Sequence, residues 1–145
     1  MGGESPNAIA DCPFCRFAEI PVGHELYRDD GFLIVLDRES LGFGHSLLIP
    51  RRHVAKVYDL EVHEIAEMFS LASCFARSLE AKLGVKAVGM IAFGSGLPHA
   101  HLHLVPHNES VVLMRPQEYA KRLSNEELIA EAGRLRTLIG DFEYR

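Results

Sequence analysis

The chain is 145 residues long, carries a formal net charge of −5 at pH 7, and is 48% hydrophobic and 24% charged. That balance fits one globular domain with a buried core, and the negative charge excludes a general nucleic-acid surface. Three cysteines, no apolar leader and no run approaching ~18 apolar residues predict a cytoplasmic protein with neither signal peptide nor membrane span.

Residues 1–10 carry Gly, Ser and Pro without pattern and read as a loose tail. Cys12-Pro13-Phe14-Cys15 follows, then a short irregular or helical turn ending at Ile20-Pro21. His24 to Arg28 and Phe32 to Leu36 read as strands joined by the hairpin turn Asp29-Asp30-Gly31, and Asp37 closes the second. Beyond the flexible Gly42-Phe43-Gly44, His45 to Ile49 form a third strand stopped by Pro50. Ile65, Met68, Phe69, Ala72, Phe75, Ala76, Leu79 and Leu83 recur at three- and four-residue steps, which predicts a long amphipathic helix. Gly84 stands where a left-handed residue ends such a helix, and Cys74 inside it reads as a small core hydrophobe. Val85 to Phe93 read as a fourth strand, which Gly94-Ser95-Gly96 turns into the stretch Pro98 to His107.

In that stretch His99, His101 and His103 alternate with Ala100, Leu102 and Leu104. A period of two marks a half-buried strand, with the imidazoles in a row on one face, about 6.6 Å apart at Cα. Each can serve as nucleophile, acid, base or metal ligand at neutral pH. A histidine tract that binds metal adventitiously would be contiguous and polar, without this apolar counter-face. Downstream, Val111 to Met114 read as a short strand or extended segment, and Gln117 to Leu123 as the start of a helix. Ser124-Asn125-Glu126-Glu127 is a capping box opening a second helix to about Ile139. Strands joined by turns, with one long and one terminal helix, describe an α+β domain on an antiparallel sheet.

The run His99 to Val105 resembles the histidine-triad (HIT) motif, in which three histidines alternate with apolar residues. Cys12-Pro13-Phe14-Cys15, Leu36-Asp37 and Gly44-His45-Ser46-Leu47-Leu48-Ile49-Pro50-Arg51-Arg52-His53 also resemble segments of that family, in the same order, so that the resemblance spans roughly residues 12–107. It places a HIT domain over residues 11–110, between the tail and a C-terminal extension, 111–145, whose helix packs on or near the domain. The resemblance implies a five-stranded antiparallel sheet with two main helices, extended across a homodimer. It also implies binding of a purine nucleotide or nucleotide conjugate, and hydrolysis or transfer at the α-phosphate through a covalent nucleotidyl-His101. His99, His101 and His103 form the catalytic set in this reading.

Chemistry fits those roles. A neutral imidazole attacks phosphorus through one ring nitrogen only when the other holds the proton against an acceptor, which a backbone carbonyl can be. His103, one pleat further on, can donate to a phosphate oxygen or to the leaving group. Cys12 and Cys15 have the spacing of a zinc half-site, and the resemblance supplies His53 and His99 as the other ligands of a structural zinc. A redox pair, or two cysteines without chemistry, are the competing readings. The resemblance also assigns Asp37 to the ribose hydroxyls, against a plain strand-end aspartate in water. Phe14, Phe17 and Leu36 are candidates for the slot around the base, or for the core. The loop before the triad is shorter than is usual and lacks Asn and Gln, leaving Ser95 and the amides around Gly96 to reach the phosphate together with His103. That loss raises an alternative to an active nucleotidyl hydrolase, a nucleotide-binding or interaction protein with vestigial catalysis; apart from the resemblance, the histidines by themselves read as the catalytic ligands of a metal-centred hydrolase.

Overall fold

The computed structural model describes residues 11–140 together with 142 and 144; the N-terminal tail of the sequence reading lies outside them. Helix α1 (Pro13–Glu19) leads into β1 (Glu25–Arg28), β2 (Phe32–Leu36), β3 (Glu39–Ser40) and β4 (Ser46–Pro50). The long helix α2 (Val62–Leu83) is followed by β5 (Ala87–Ile91) and β6 (Leu102–His107). Short helices α3 (Val111–Met114) and α4 (Pro116–Tyr119), strand β7 (Lys121–Arg122) and helix α5 (Asn125–Ile139) complete the order.

Five strands form one antiparallel sheet in the order β1-β2-β4-β6-β5. Local chemistry explains its bends. At the β1–β2 turn the Asp29 carboxylate accepts from the amides of Gly31 at 2.8 Å and Phe32 at 2.7 Å. Helix α2 stops at Gly84, whose φ of +67° is the left-handed conformation that glycine adopts without a Cβ clash. Ser124 and Glu127 form the reciprocal capping box that starts α5.

The sheet separates two apolar layers. On one face Phe32, Ile34, Leu36, Leu48, Leu102 and Leu104 pack against Leu71, Phe75 and Leu79 of α2 and Leu128, Ala132 and Leu135 of α5. On the other, Leu33, Val35, Leu47 and Ile49 pack against Cys12, Phe14, Cys15 and Ala18. Each fully buried leucine or phenylalanine contributes roughly 1.5–3 kcal/mol, so the helix-side layer carries most of the stability. Among the described residues no helix is long and apolar enough to cross a membrane.

Several local expectations differ. The histidine strand is shorter than expected: β6 begins at Leu102, and Ala100 donates instead to Val54 O at 2.6 Å. The register of Leu48 with Leu102 places Pro50 opposite Ala100, and proline has no amide to continue the ladder. Val111 to Met114 is a helical turn rather than extended, and the helix expected from Gln117 ends at Tyr119, giving way to β7. Cys74 is half-buried on α2 rather than in the core.

Candidate functional site

The sequence order puts His101 and His103 on the same sheet face as Leu47, because Leu102 and Leu104 point into the helix-side core. Their rings lie 5.2 Å apart between centroids. His101 Nδ1 lies 2.7 Å from His99 O. A carbonyl can only accept, so the proton sits on Nδ1 and the lone pair on Nε2. Phe14 packs edge-on against both His101 and His99, with centroids 5.0 and 5.7 Å away, and Phe17 sits 5.8 Å from Phe14. Leu36 lies on the opposite face of the sheet, 1% exposed in the helix-side core, and so is separated from the histidine face. Ser95 and Gly96 are exposed on their loop. A small cavity beside His101 is lined instead by Ala92, Gly94, Leu97 and the turn from Ala55 to Tyr58, including Lys56. Lys56 is a cation near His101 that sequence reading did not single out.

His45 is a second such residue. It packs 2% exposed, and its Nδ1 accepts from the Leu41 amide at 3.0 Å. Its proton therefore sits on Nε2, which lies 2.9 Å from His103 Nδ1 and 3.3 Å from Asp37 Oδ2. A donor at His103 Nδ1 fixes that ring too, with its own proton on Nε2. Backbone amides and carbonyls thus set complementary tautomers: His101 offers a lone pair while His103 offers a proton. The signal in the sequence was the position itself, since His45 opens the strand that pairs with the histidine strand.

Asp37 Oδ1 accepts from the Glu39 amide at 3.0 Å, while Oδ2 lies 3.6 Å from His103 Nδ1. Burial pushes the Asp37 carboxyl up to about 6 and holds His45 down to about 3 and His103 down to about 4, neighbouring His101 adding to the last. A raised Asp37 makes the folded protein bind a proton more tightly than the unfolded chain, so this group lowers stability as pH rises from about 4 to 6. Depressed histidines act oppositely, since the unfolded chain takes up their protons first, and stability rises with pH up to about 6.5. Two groups oppose one, so these three together make stability rise from pH 4 to 6.5, each group contributing at most about 1.4 kcal/mol per pH unit. Asp37→Asn removes the opposing group. Urea titrations over that range are expected to give a steeper climb for the variant; a shallower one would contradict this assignment.

Behind His99 lies a second cluster. His99 is 0% exposed, and its Nε2 lies 2.7 Å from Pro50 O, which places the proton there and the lone pair on Nδ1. That Nδ1 lies 3.3 Å from Cys12 Sγ, 3.5 Å from Cys15 Sγ and 3.1 Å from His53 Nδ1, and Cys15 Sγ lies 3.1 Å from His53 Nδ1. Bonds of about 2.3 Å to sulfur and 2.0–2.1 Å to nitrogen put tetrahedral donors roughly 3.3–3.8 Å apart. Two thiols and two imidazole nitrogens converging at nearly that spacing make a donor set that can hold a tetrahedral metal ion. Asp37, His45 and His103 also converge, but the proton on His45 Nε2 makes that trio a hydrogen-bonded relay rather than a ligand set.

A family model described as the HIT domain matches residues 20–110. The adenylylsulfatase HINT3 of Arabidopsis thaliana is 30% identical over 113 residues, which is 73% of this chain but 57% of the plant protein, so the chain spans little more than half that relative's length. The asymmetrical bis(5'-nucleosyl)-tetraphosphatase of Schizosaccharomyces pombe is 25% identical over 76% of this chain and 64% of its own. Among solved structures, a HIT-like protein from Bartonella henselae superposes with a TM-score of 0.71 at 18% identity, covering 88% of this chain and 96% of that one. A zinc-bound histidine triad family protein from Mycobacterium smegmatis gives 0.64 at 22% identity, covering 89% and 98%. With the family model covering most of its length, its sheet that of the solved structures, and its three alternating histidines on one face, the chain belongs to the HIT domain family.

Proposed function

We propose that this protein hydrolyses, or transfers the nucleotidyl group of, a purine nucleotide conjugate at its α-phosphorus through a covalent nucleotidyl-His101. The observation that carries the reading is the Nδ1 contact of His101 with the His99 carbonyl, which turns the Nε2 lone pair into a nucleophile. In the first half-reaction a His101 Nε2–P bond forms as the bond from phosphorus to the leaving group breaks. One proton, drawn from solvent through the Asp37–His45–His103 unit, ends on the departing atom. Water then attacks phosphorus, the Nε2–P bond breaks, and the nucleoside monophosphate leaves with neutral His101 restored. Lys56 beside the small cavity offers charge to the non-bridging oxygens, compensating for the missing polar loop. Phe14 and Phe17 border His101 where a base would stack, and Asp37 offers a carboxylate to the ribose. Relatives named as an adenylylsulfatase and a bis(5'-nucleosyl)-tetraphosphatase support chemistry on nucleotide conjugates.

The test is incubation with adenosine 5'-phosphoramidate, followed by rapid acid quench and mass spectrometry of the intact protein. A mass increase of one adenylyl group, mapped to the peptide containing His101, is expected. Neither adduct nor turnover across a panel of nucleotide conjugates would leave the nucleotide-binding reading with vestigial catalysis.

We also propose a structural zinc at Cys12, Cys15, His53 and His99, on the donor geometry and the zinc-bound family structure. A homodimer formed along β5 completes the proposal. That strand is one of the sheet's two edges, and its Met90 and Phe69 of α2 are 38% and 39% exposed. Sedimentation velocity is expected to give a two-chain mass, which Met90→Lys converts to one; a wild-type monomer at micromolar concentration would refute the pairing.

A further inference from the structure

Helix α5 buries Leu128, Ala132 and Leu135 at three- and four-residue steps, and Glu131 falls inside that apolar stripe. It is 8% exposed. A carboxylate is rarely buried without a partner, because burial strips away its hydration. Here the partner lies 87 positions off in sequence: Glu131 Oε2 accepts from the Gly44 amide at 3.0 Å. Three residues further along α5, the Arg134 guanidinium stands 5.6 Å from the centre of the Phe43 ring. Two side chains of one helix thus grip the same turn.

Within the turn, hydrogen bonds run between near neighbours. Ser40 Oγ donates to Gly42 O at 2.9 Å, the His45 amide donates to Gly42 O at 3.1 Å, and Ser46 Oγ donates to Gly44 O at 2.8 Å. Such bonds shape a turn without placing it against the rest of the protein. Gly44 has a φ of +88°, and a Cβ on it would stand 3.1 Å from Leu83 Cδ1, so the turn lies close over the end of α2. With the next residue the chain reaches the histidine face. There His45 Nδ1 accepts from the Leu41 amide at 3.0 Å and Nε2 faces His103 Nδ1 at 2.9 Å. The Glu131 carboxylate therefore binds the chain on the helix side of the sheet, one residue before the ring that assigns the His103 proton.

We infer that Glu131 is a positioning residue, which holds the Gly42–Gly44 turn through the Gly44 amide so that His45 keeps its proton on Nε2 and directs it at His103. The catalytic consequence rests on the proposed nucleotidyl-His101 chemistry, which it deepens by adding a remote support for the proton donor. With the tie broken, the turn shifts and the Leu41 amide no longer commits the His45 ring to one tautomer. In the other tautomer His45 presents a lone pair to His103. His103 then carries its proton on Nδ1, and its Nε2 has none to give to the departing atom.

The experiment reads the tautomers directly, by long-range proton–nitrogen NMR of the imidazole rings in the full chain. Wild type is expected to show His45 and His103 each protonated on Nε2. Glu131→Met keeps the length of the side chain and removes the acceptor. It is expected to show mixed tautomers at both rings and about a tenfold lower kcat for adenosine 5'-phosphoramidate, with KM within twofold of wild type. Glu131→Gln retains an acceptor oxygen and is expected to restore both readouts. Leu128→Ala truncates the core on the same helix without touching the turn. It is expected to lower the melting temperature and leave tautomers and kcat as in wild type. Should Glu131→Met fail to fold, Glu131→Asp, which draws the carboxylate back by one methylene, replaces it. Wild-type tautomers or kcat in the folded variant, a Gln variant as impaired as the Met one, or an equal loss of kcat in Leu128→Ala overturns the positioning role. Neither turnover nor adduct in wild type overturns the nucleotidyl chemistry instead, while the spectra still decide whether Glu131 fixes His45.

Discussion

His101→Gly is expected to lower kcat for adenosine 5'-phosphoramidate by at least about 10³-fold and to abolish the adenylyl adduct. Such a loss corresponds to roughly 4 kcal/mol of transition-state stabilisation. The reason lies in division of labour. Lys56, His103 and the aromatic side chains can still hold the substrate, so affinity falls little, but no other nitrogen stands with its lone pair fixed toward the phosphorus. His103 cannot substitute, because His45 occupies its Nδ1 and its Nε2 carries the proton. Removing the ring also leaves the His99 carbonyl beside a solvent-accessible gap, which water can satisfy, so the melting temperature should move only a few degrees. Added imidazole is expected to restore part of the turnover, since it fits the space and supplies the missing nitrogen. A variant retaining more than about one tenth of wild-type kcat would remove His101 from the nucleophile role and favour a reaction in which water attacks directly.

How much of this was legible beforehand varies along the chain in a physically consistent way. Phe32 to Leu36 read as a strand and is one with the same bounds, because a five-residue apolar run between Asp-Gly and Asp has one comfortable conformation. Gly84 and the Ser124 capping box marked helix ends correctly, since those signals depend on adjacent backbone atoms alone. The extent of β6 was overestimated because its limit is set by Pro50, about a third of the chain away in sequence. The same remoteness hid β3 and β7, two-residue strands whose pairing exists only once the C-terminal segment has folded back. Alternation was a good guide to faces: it separated Leu102 and Leu104 from His101 and His103, though β6 carries only one of the three triad histidines.

At the site, what sequence reading missed is the set of partners that fix protons. His45 carried no motif of its own beyond its place before Ser46-Leu47-Leu48. Its role comes from burial and from the Leu41 amide, which assigns the tautomer of two rings. Leu36 reads from the sequence as a candidate for the base slot or for the core, and its face of β2 puts it in the helix-side core. Ser95 and Gly96 were the obvious donors in a short loop, whereas Lys56 comes to the small cavity on a turn more than thirty residues upstream.

Loss of the metal is expected to have the second large effect. The four donors join three segments that are remote in sequence: the start of α1, the chain after β4 and the lead-in to β6. Without an ion, two imidazole nitrogens face each other at 3.1 Å, and the His53 ring must either hold its proton on Nδ1 or turn away. The helix-side core stands apart from this cluster, so the protein should remain folded while α1 loosens. A cost of about 4 kcal/mol, or some 10–15 °C in melting temperature, is reasonable for a site that closes one layer rather than the whole domain. Dialysis against a chelator and the substitution Cys15→Ser should each produce it, and the two together should produce hardly more, since both remove the same ion. Elemental analysis is expected to find one zinc per chain in wild type and little in the variant, whereas Cys74→Ser, half-buried on α2 and outside the cluster, should keep both metal and melting point. A wild-type protein without zinc whose melting ignores the chelator would refute the assignment. Catalysis adds a second readout, because the carbonyl that orients His101 belongs to His99. Loosening His99 should therefore lower kcat, by less than His101→Gly does, and returning zinc to the chelated protein should recover stability and turnover together.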